Sequence, residues 1–175
     1  VLGELERDRL RTLGEEYVER TRIQRKTAAP YFIDKLPNNW QHVGLIHLIL
    51  PQAKIVDARR HPLSCGFSVF KQHFARGQAF SFSLAEIGRY YRDYVELLAH
   101  FDAVLPGRVH RVHYEAMVAD TEAEVRRLAQ GLADAGAVHL EVNAEGIVGL
   151  LGLLLAARSR GVSLADARGC GVLED

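Results

Sequence analysis

The sequence predicts an α/β domain with a short parallel sheet flanked by helices. Two observations predict it: short apolar runs alternate with longer amphipathic segments, and the connections between the runs are long enough to hold crossover helices. With 175 residues, of which 48% are hydrophobic and 25% charged, the chain has the size and composition of one folded domain. Parallel pairing would place a ligand at the carboxyl ends of the strands.

The first third of the chain predicts two helices around one strand. Apolar residues recur at helical spacing among many charges over about residues 2–22, which indicates an amphipathic helix. The apolar run Tyr31–Asp34 follows Pro30 and is typical of a short strand. A helix is predicted over Trp40–Leu50, and the proline that follows ends it.

The middle of the chain predicts two further strands and three helices. The run Lys54–Ala58 is a buried strand, and Pro62–Arg76 is a helix with proline in its first turn. A Ser-Leu-Ala-Glu capping box begins the helix Leu84–Phe101, Arg108–His113 is the third strand, and Thr121–Leu132 is a helix. The predicted helix Pro62–Arg76 carries an apolar stripe that consists of Leu63, Phe67, Phe70 and Phe74.

The last part of the chain differs in composition from the rest. All 14 aromatic residues lie at or before Tyr114, and the residues after 131 are rich in Ala, Gly, Leu and Val. We therefore divide the chain into a domain over 1–130 and a divergent tail of small helices over 131–175. The apolar run Gly146–Ala157 is too short to span a bilayer, so no membrane span is expected.

Composition also narrows the classes of function and of location. Equal numbers of basic and acidic residues, 22 of each, disfavour a nucleic-acid partner. Cys65 and Cys170 have no paired-thiol spacing, which favours a reducing, cytoplasmic compartment. The eight histidines show no ligand spacing, so no metal site is predicted.

Polar residues that follow the predicted strands indicate a ligand site. Lys35, Arg60 and Tyr114 each come just after a strand, so parallel pairing would bring them to one edge of the sheet. Arg59 and Arg60 precede a helix that carries hydroxyl groups, among them Ser68, and such a place can hold an oxyanion. The alternative is that the two arginines are solvated surface charges.

These residues, taken in order, resemble the sulfotransferase superfamily, whose enzymes use 3′-phosphoadenosine 5′-phosphosulfate (PAPS). The chain is most similar to the bacterial branch that is often fused to tetratricopeptide repeats and is related to the tyrosylprotein sulfotransferases. The similarity spans about residues 31–128. Its segments are Ile33–Trp40, Gly44–Val56, Arg59–Pro62 with Ser68, Arg89–Tyr94, and Leu105–Glu115.

The resemblance implies a function, an architecture and roles for four residues. It implies a P-loop-like three-layer architecture and transfer of a sulfuryl group from PAPS to a hydroxyl or amine of a small-molecule, glycan or peptide acceptor, without a metal. Arg60 and Ser68, eight residues apart, match the pair that binds the 3′-phosphate. Tyr114 matches the adenine contact, and Lys35 matches the lysine that stabilises the transition state.

Two features of the family are not matched, and alternatives therefore stay open. Nothing from Val1 to Pro30 matches the phosphosulfate-binding loop or the glutamate base, so a domain incomplete at the N-terminus is expected, with repeat domains as further expected parts of a parent protein. One alternative is a non-catalytic remnant that binds adenosine bisphosphate weakly or serves as an interaction module. Another is a small-molecule kinase, against which the absence of a Walker loop argues.

Overall fold

The computed structural model describes residues 5–25, 31–72, 74, 77–134, 139–144 and 170–173. The strands are β1 Tyr31–Asp34, β2 Ala53–Arg59, β3 Val109–His113, β4 His139–Ala144 and β5 Cys170–Leu173. The α-helices are α1 Arg7–Arg20, α2 Val43–Ile49, α3 Pro62–Lys71, α4 Leu84–Val104, α5 Tyr114–Ala119 and α6 Thr121–Asp134. Short 3-10 helices cover Thr21–Gln24, Asn39–His42 and Ala79–Phe82.

The sheet is parallel throughout, as the sequence predicts, and its strand order is β3-β2-β4-β1-β5. The prediction of a parallel sheet flanked by helices is therefore confirmed. Because all strands point the same way, their carboxyl ends meet at one edge of the sheet. The register places Arg59 opposite His113, so the residues that follow β2 and β3 are neighbours at that edge.

The tail was predicted to be helical, and this prediction is wrong for residues 139–144 and 170–173. These residues form β4 and β5, and β4 lies between β1 and β2. The other residues after 134 lie outside the described part, so the prediction is untested there. Strands in the middle or at the border of a parallel sheet are decided by their neighbours, which local composition does not reveal.

The hydrophobic core lies between β2 and the helices on one face of the sheet. Strand β2 is buried over its first five residues and only half-buried at its carboxyl end, where it approaches the edge. Leu98 of α4 is completely buried. The core cluster consists of Val43, Ile46, Ala53 and Ile55, with Leu50, Phe101 and Val109 packed against it.

Helix α3 shows a second difference from the sequence-based prediction. The predicted apolar stripe is not the buried face, since Leu63, Phe67 and Phe70 are all exposed in the structure. The residue that α3 buries is Cys65, and the next residue, Gly66, lies close to Ile87 of α4. The helix therefore packs through its small residues, and its large apolar residues point outward.

Two helical glycines give a matched pair of stability predictions. A methyl group at Gly14 of α1 would overlap the backbone carbonyl oxygen of Ile49, whereas nothing lies within 4 Å of the corresponding position at Gly88 of α4. We expect Gly14→Ala to lower the free energy of unfolding by about 1–3 kcal/mol, because the two helices must separate. Gly88→Ala should raise it by about 0.5–1 kcal/mol through backbone entropy. Urea denaturation of both variants measures the two changes. If the free energy of unfolding changes in the same direction in both variants, the close approach of α1 and α2 is contradicted.

Candidate functional site

Arg60 and Tyr114 meet at the carboxyl edge of the sheet. The guanidinium carbon of Arg60 lies 5.2 Å from the centroid of the Tyr114 ring, a distance at which a cation is attracted to the ring face. Tyr114 is the first residue of α5 and is 38% exposed, so part of its side chain reaches solvent. The structure thus brings together two of the four residues that the resemblance singled out.

The charge of Arg60 is not neutralised by an ion pair among the described residues. The nearby carboxylate of Glu115 accepts a hydrogen bond of 2.9 Å from the backbone nitrogen of His61. That bond, together with the charges of His61 and Arg60, lowers the pKa of Glu115. Arg60 itself is half-buried, and its backbone oxygen accepts a long hydrogen bond from Tyr91. Its guanidinium therefore remains available to bind an anion.

Arg59 has a different role, because its side chain is part of a buried charge network. Its Nε donates to Oδ2 of Asp57 at 2.8 Å and to the hydroxyl of Tyr94 at 3.0 Å. Asp57 is completely buried and also accepts hydrogen bonds from Tyr94 and from Nε of Arg111, the latter at 3.0 Å. Arg111 donates further to Asp102 at 2.8 Å. Two arginines thus balance two carboxylates, and Arg59 contributes no net charge.

The same network fixes the protonation state of Tyr94. Burial of the hydroxyl, and then the charge and the hydrogen bond of Asp57, raise the pKa of Tyr94 above its usual range. The hydroxyl therefore stays protonated, donates to Asp57 and accepts from Arg59. This keeps Tyr94 from acting as a base and makes it a fixed support for the arginine.

The structure does not bring Ser68 or Lys35 into a hydrogen bond or ion pair with Arg60 among the described residues. Ser68 is exposed on α3, two turns after the helix begins, and makes no hydrogen bond among the described residues. Lys35 follows β1 directly and is half-buried. Because β4 separates β1 from β2, the strands that lead to Lys35 and Arg60 are about 10 Å apart, which is two strand spacings.

The loop that carries Lys35 is held against α4 by Tyr90, a residue to which the sequence assigned no role. The Tyr90 hydroxyl donates to Oδ1 of Asn38 at 2.6 Å and accepts from Nε1 of Trp40 at 3.1 Å. Its ring stacks on Phe80 with 3.8 Å between centroids and an angle of 5° between planes. Tyr90 lies four residues before Tyr94, so the spacing placed both on one helix face, and that was the available signal.

A cavity opens beside Arg60 on the side of α4, and we call it the aromatic cleft. Its volume is about 20 Å³, which is room for one water-sized group. It lies between the loop after β1, the end of β2, and α4. The residues that line it are Pro37, Trp40, Ala58, Arg59, Arg60, Cys65, Tyr90, Tyr91 and Tyr94.

The described residues contain neither a candidate metal cluster nor a helix that could span a membrane. No group of three or more His, Cys, Asp and Glu side chains that could hold a metal ion is found in that part of the chain. No helix in the same residues is long and apolar enough to cross a bilayer. The prediction that the reaction needs no metal stays a prediction.

The fold is that of the α/β domains with a parallel sheet, which bind their ligands beyond the carboxyl ends of the strands, and Arg60 and Tyr114 lie at that edge here. Comparison with known proteins makes the class specific. The model of the sulfotransferase family matches residues 4–133, and the chain belongs to that family.

Comparison with individual proteins gives a partial match. The chain is 30% identical over 122 residues to an uncharacterized protein of Aquifex aeolicus (strain VF5), an alignment that covers 68% of this chain and 16% of that protein. The aligned part of the chain therefore spans less than a fifth of the length of that relative. No solved structure gives a significant match.

Proposed function

We propose that the chain forms the nucleotide-binding part of a sulfotransferase that uses PAPS as its donor. The observation that carries the proposal is the contrast between two adjacent arginines. Arg59 is neutralised by Asp57, whereas Arg60 has no ion pair among the described residues and lies over Tyr114. Belonging to the sulfotransferase family supports sulfuryl transfer in general, and the donor and the acceptor are the proposed parts.

The residues at the edge of the sheet fit the nucleotide in kind. The planar guanidinium of Arg60 offers parallel N–H donors to a phosphate, and the exposed hydroxyl of Ser68 offers another donor from α3. The partly exposed ring of Tyr114 offers a face for stacking by a base. The bound donor would supply an activated sulfuryl group, and the part of the protein would be positioning and charge stabilisation.

Lys35 has the remaining role in this proposal. It lies half-buried after β1 with no ion pair among the described residues, so its ammonium can stabilise negative charge on the leaving phosphate. As the acceptor oxygen or nitrogen forms its bond to sulfur, the bond from sulfur to the phosphate oxygen breaks. The acceptor loses its proton, and the products are the sulfated acceptor and adenosine 3′,5′-bisphosphate.

The first test is nucleotide binding by this chain. Adenosine 3′,5′-bisphosphate is titrated calorimetrically into the unmodified chain and into Arg60→Ala, where we expect the Kd to rise at least about tenfold because the anion loses its guanidinium. Arg126→Ala, on the exposed face of α6, is the matched control and should leave the Kd unchanged. Equal affinities of Arg60→Ala and the unmodified chain would remove Arg60 from the site.

The second test separates an enzyme from a non-catalytic remnant. We expect Lys35→Ala in the full-length protein to lower the rate of radiolabelled sulfate transfer at least about tenfold, because developing charge on the leaving group is no longer stabilised. Its Kd for adenosine 3′,5′-bisphosphate should rise as well, because the 5′-phosphate of that product is the leaving group whose charge Lys35 stabilises. Nucleotide binding without any sulfate transfer by the unmodified protein would favour the remnant.

A further inference from the structure

Three large apolar side chains protrude from α3, and we call them the α3 ridge. They are Leu63, Phe67 and Phe70, which are 78%, 62% and 44% exposed. Their spacing of four and three residues places them on one side of the helix. Leu84, the first residue of α4, is also exposed. Several large apolar side chains exposed along one helix mark a surface that binds a partner.

The packing of α3 turns the ridge away from the rest of the domain. Cys65 is the buried residue of the helix and lines the aromatic cleft, and Gly66 approaches Ile87 of α4. Phe67 lies two residues after Cys65, so its side chain leaves the helix about 160° away from that of Cys65. The ridge therefore stands out from the surface on the side of α3 opposite the cleft.

The part of the chain that carries the ridge has no negative charge. Residues 58–85 include no acidic residue, although 22 of the 175 residues of the chain are acidic. Lys71 is the last residue of α3, and its Nζ lies 5.2 Å from the centroid of the Phe67 ring. The lysine is exposed and has no ion pair among the described residues. A cation thus borders the apolar ridge.

Two carboxylates on neighbouring elements do not neutralise this cation. Glu86 of α4 forms an ion pair with Arg89 at 2.8 Å. Glu115 accepts a hydrogen bond from the backbone nitrogen of His61, at the start of α3. About 15 Å of helix separates that position from Lys71 at the other end. The ridge therefore presents apolar side chains together with an unneutralised positive charge.

A second copy of the chain fits this surface poorly. If two ridges paired in antiparallel directions about Phe67, Lys71 of each copy would lie beside Leu63 of the other, near the start of that helix. The start of a helix carries a partial positive charge, and Arg60 lies there as well. Parallel pairing would bring the two Lys71 side chains together. Like charges would meet in both arrangements.

A lipid surface fits the ridge better than a peptide does. A helical peptide partner lays its apolar side chains into a groove, whereas the ridge protrudes. A bilayer takes up protruding leucine and phenylalanine side chains at the boundary between its headgroups and its acyl chains. Anionic headgroups attract a lysine that borders such side chains.

We propose that the α3 ridge attaches the domain to the surface of a membrane that contains anionic lipids. Leu63, Phe67 and Phe70 enter the boundary between headgroups and acyl chains, and Lys71 meets a lipid phosphate. Ser68 follows Phe67 by one residue and faces about 100° away from it, so it stays outside the attached surface. The attachment does not depend on the proposed sulfuryl transfer.

Co-sedimentation with vesicles tests the attachment. The unmodified chain is mixed with vesicles of phosphatidylcholine that contain about three parts in ten of phosphatidylglycerol, and with vesicles of phosphatidylcholine alone. We expect partitioning into the anionic vesicles to be at least about fivefold stronger, and this preference should fall as the salt concentration rises. No binding to the anionic vesicles would overturn the proposal and would favour an acidic protein partner.

Variants test whether the ridge makes the contact. Phe67→Ser should weaken partitioning into the anionic vesicles at least about tenfold, because the ring no longer enters the bilayer. Lys71→Gln should weaken it about fivefold, because one cation is lost from the lipid surface. Circular dichroism establishes that each variant is folded.

The matched control for these variants is Ile23→Ser. Ile23 is apolar and 89% exposed, but it lies in the 3-10 helix after α1. Its substitution should leave the partitioning within about twofold, because the proposed contact does not include it. Equal losses in Phe67→Ser and Ile23→Ser would overturn the assignment of the contact to α3.

Two further measurements distinguish the membrane from other occupants. Saturating adenosine 3′,5′-bisphosphate should leave vesicle binding within about twofold, since the nucleotide and the ridge use different sides of α3. Release from the vesicles would assign the lipid phosphate to the nucleotide site and overturn the proposal. Sedimentation velocity should show a monomer, and a dimer that Phe67→Ser dissociates would assign the ridge to a second copy. Vesicle binding by a chain that does not bind the bisphosphate would contradict the proposed function but support the ridge.

Discussion

Asp57→Ala is expected to lower the free energy of unfolding by about 3–5 kcal/mol, the largest effect of any substitution discussed for this chain. Asp57 is completely buried and accepts hydrogen bonds from Arg59, Arg111 and Tyr94. Its removal leaves the guanidinium of Arg59, which is 13% exposed, without a counter-charge. A buried charge that loses its partner keeps the full cost of its lost hydration. Urea denaturation followed by circular dichroism measures the loss.

The matched control for this substitution is Asp102→Ala. Asp102 belongs to the same network through Arg111, but its side chain is 42% exposed. Water can replace it as a partner, so the expected loss is no more than about 1 kcal/mol. If the two variants lose the same stability, Asp57 is not the buried centre of the network, and the fixed orientation inferred for Arg59 fails with it.

Leu98→Ala is expected to cost about 2–5 kcal/mol, because it removes the largest fully buried side chain of α4. The loss combines the transfer of the side chain from the core to water with a cavity that the surrounding helices and sheet fill only in part. Thermal unfolding and urea denaturation both measure it. The loss should leave the slope of the urea dependence unchanged, since the surface exposed on unfolding stays the same.

Val104→Ala provides the comparison for this prediction on the same helix. Val104 is the last residue of α4 and is 52% exposed, so its truncation should change stability by no more than about 0.5 kcal/mol. A loss at Leu98 no greater than that at Val104 would contradict the packing of α4 against the sheet.

Much of the fold could be predicted from local patterns. The three strands, the long capped helix and the parallel sheet were all predicted, because a buried parallel strand is an apolar run and a crossover helix has a 3.6-residue period. Ser83 caps α4 as expected, with its side-chain oxygen accepting from the backbone nitrogen of Glu86. The strands β4 and β5 were missed because the tail was interpreted from its composition alone. Residues 139–144, His-Leu-Glu-Val-Asn-Ala, alternate polar and apolar side chains, which is the period of a strand and was the available signal.

The outward orientation of α3 was missed for a related reason. Periodicity shows that Leu63, Phe67 and Phe70 share a face, and the usual expectation is that such a face is buried. The structure instead buries Cys65 against α4, because the small residues of α3 allow a closer approach of the two helices. Which face of a helix packs against its neighbour depends on the shape of that neighbouring element. The spacing of apolar residues in the helix's own sequence carries no information about that shape.

For the candidate site too, some features could be predicted from the sequence, and others were revealed only by the structure. The sequence by itself determined that Lys35, Arg60 and Tyr114 follow parallel strands, because the alternation of strands and helices sends every strand end to one edge. Only the tertiary structure decided which of the two adjacent arginines is free. Asp57, Tyr94 and Arg111 come from three different elements, and they meet around Arg59 only when β2, β3 and α4 pack together. Charge compensation is a property of three-dimensional neighbours, and so is the aromatic cleft.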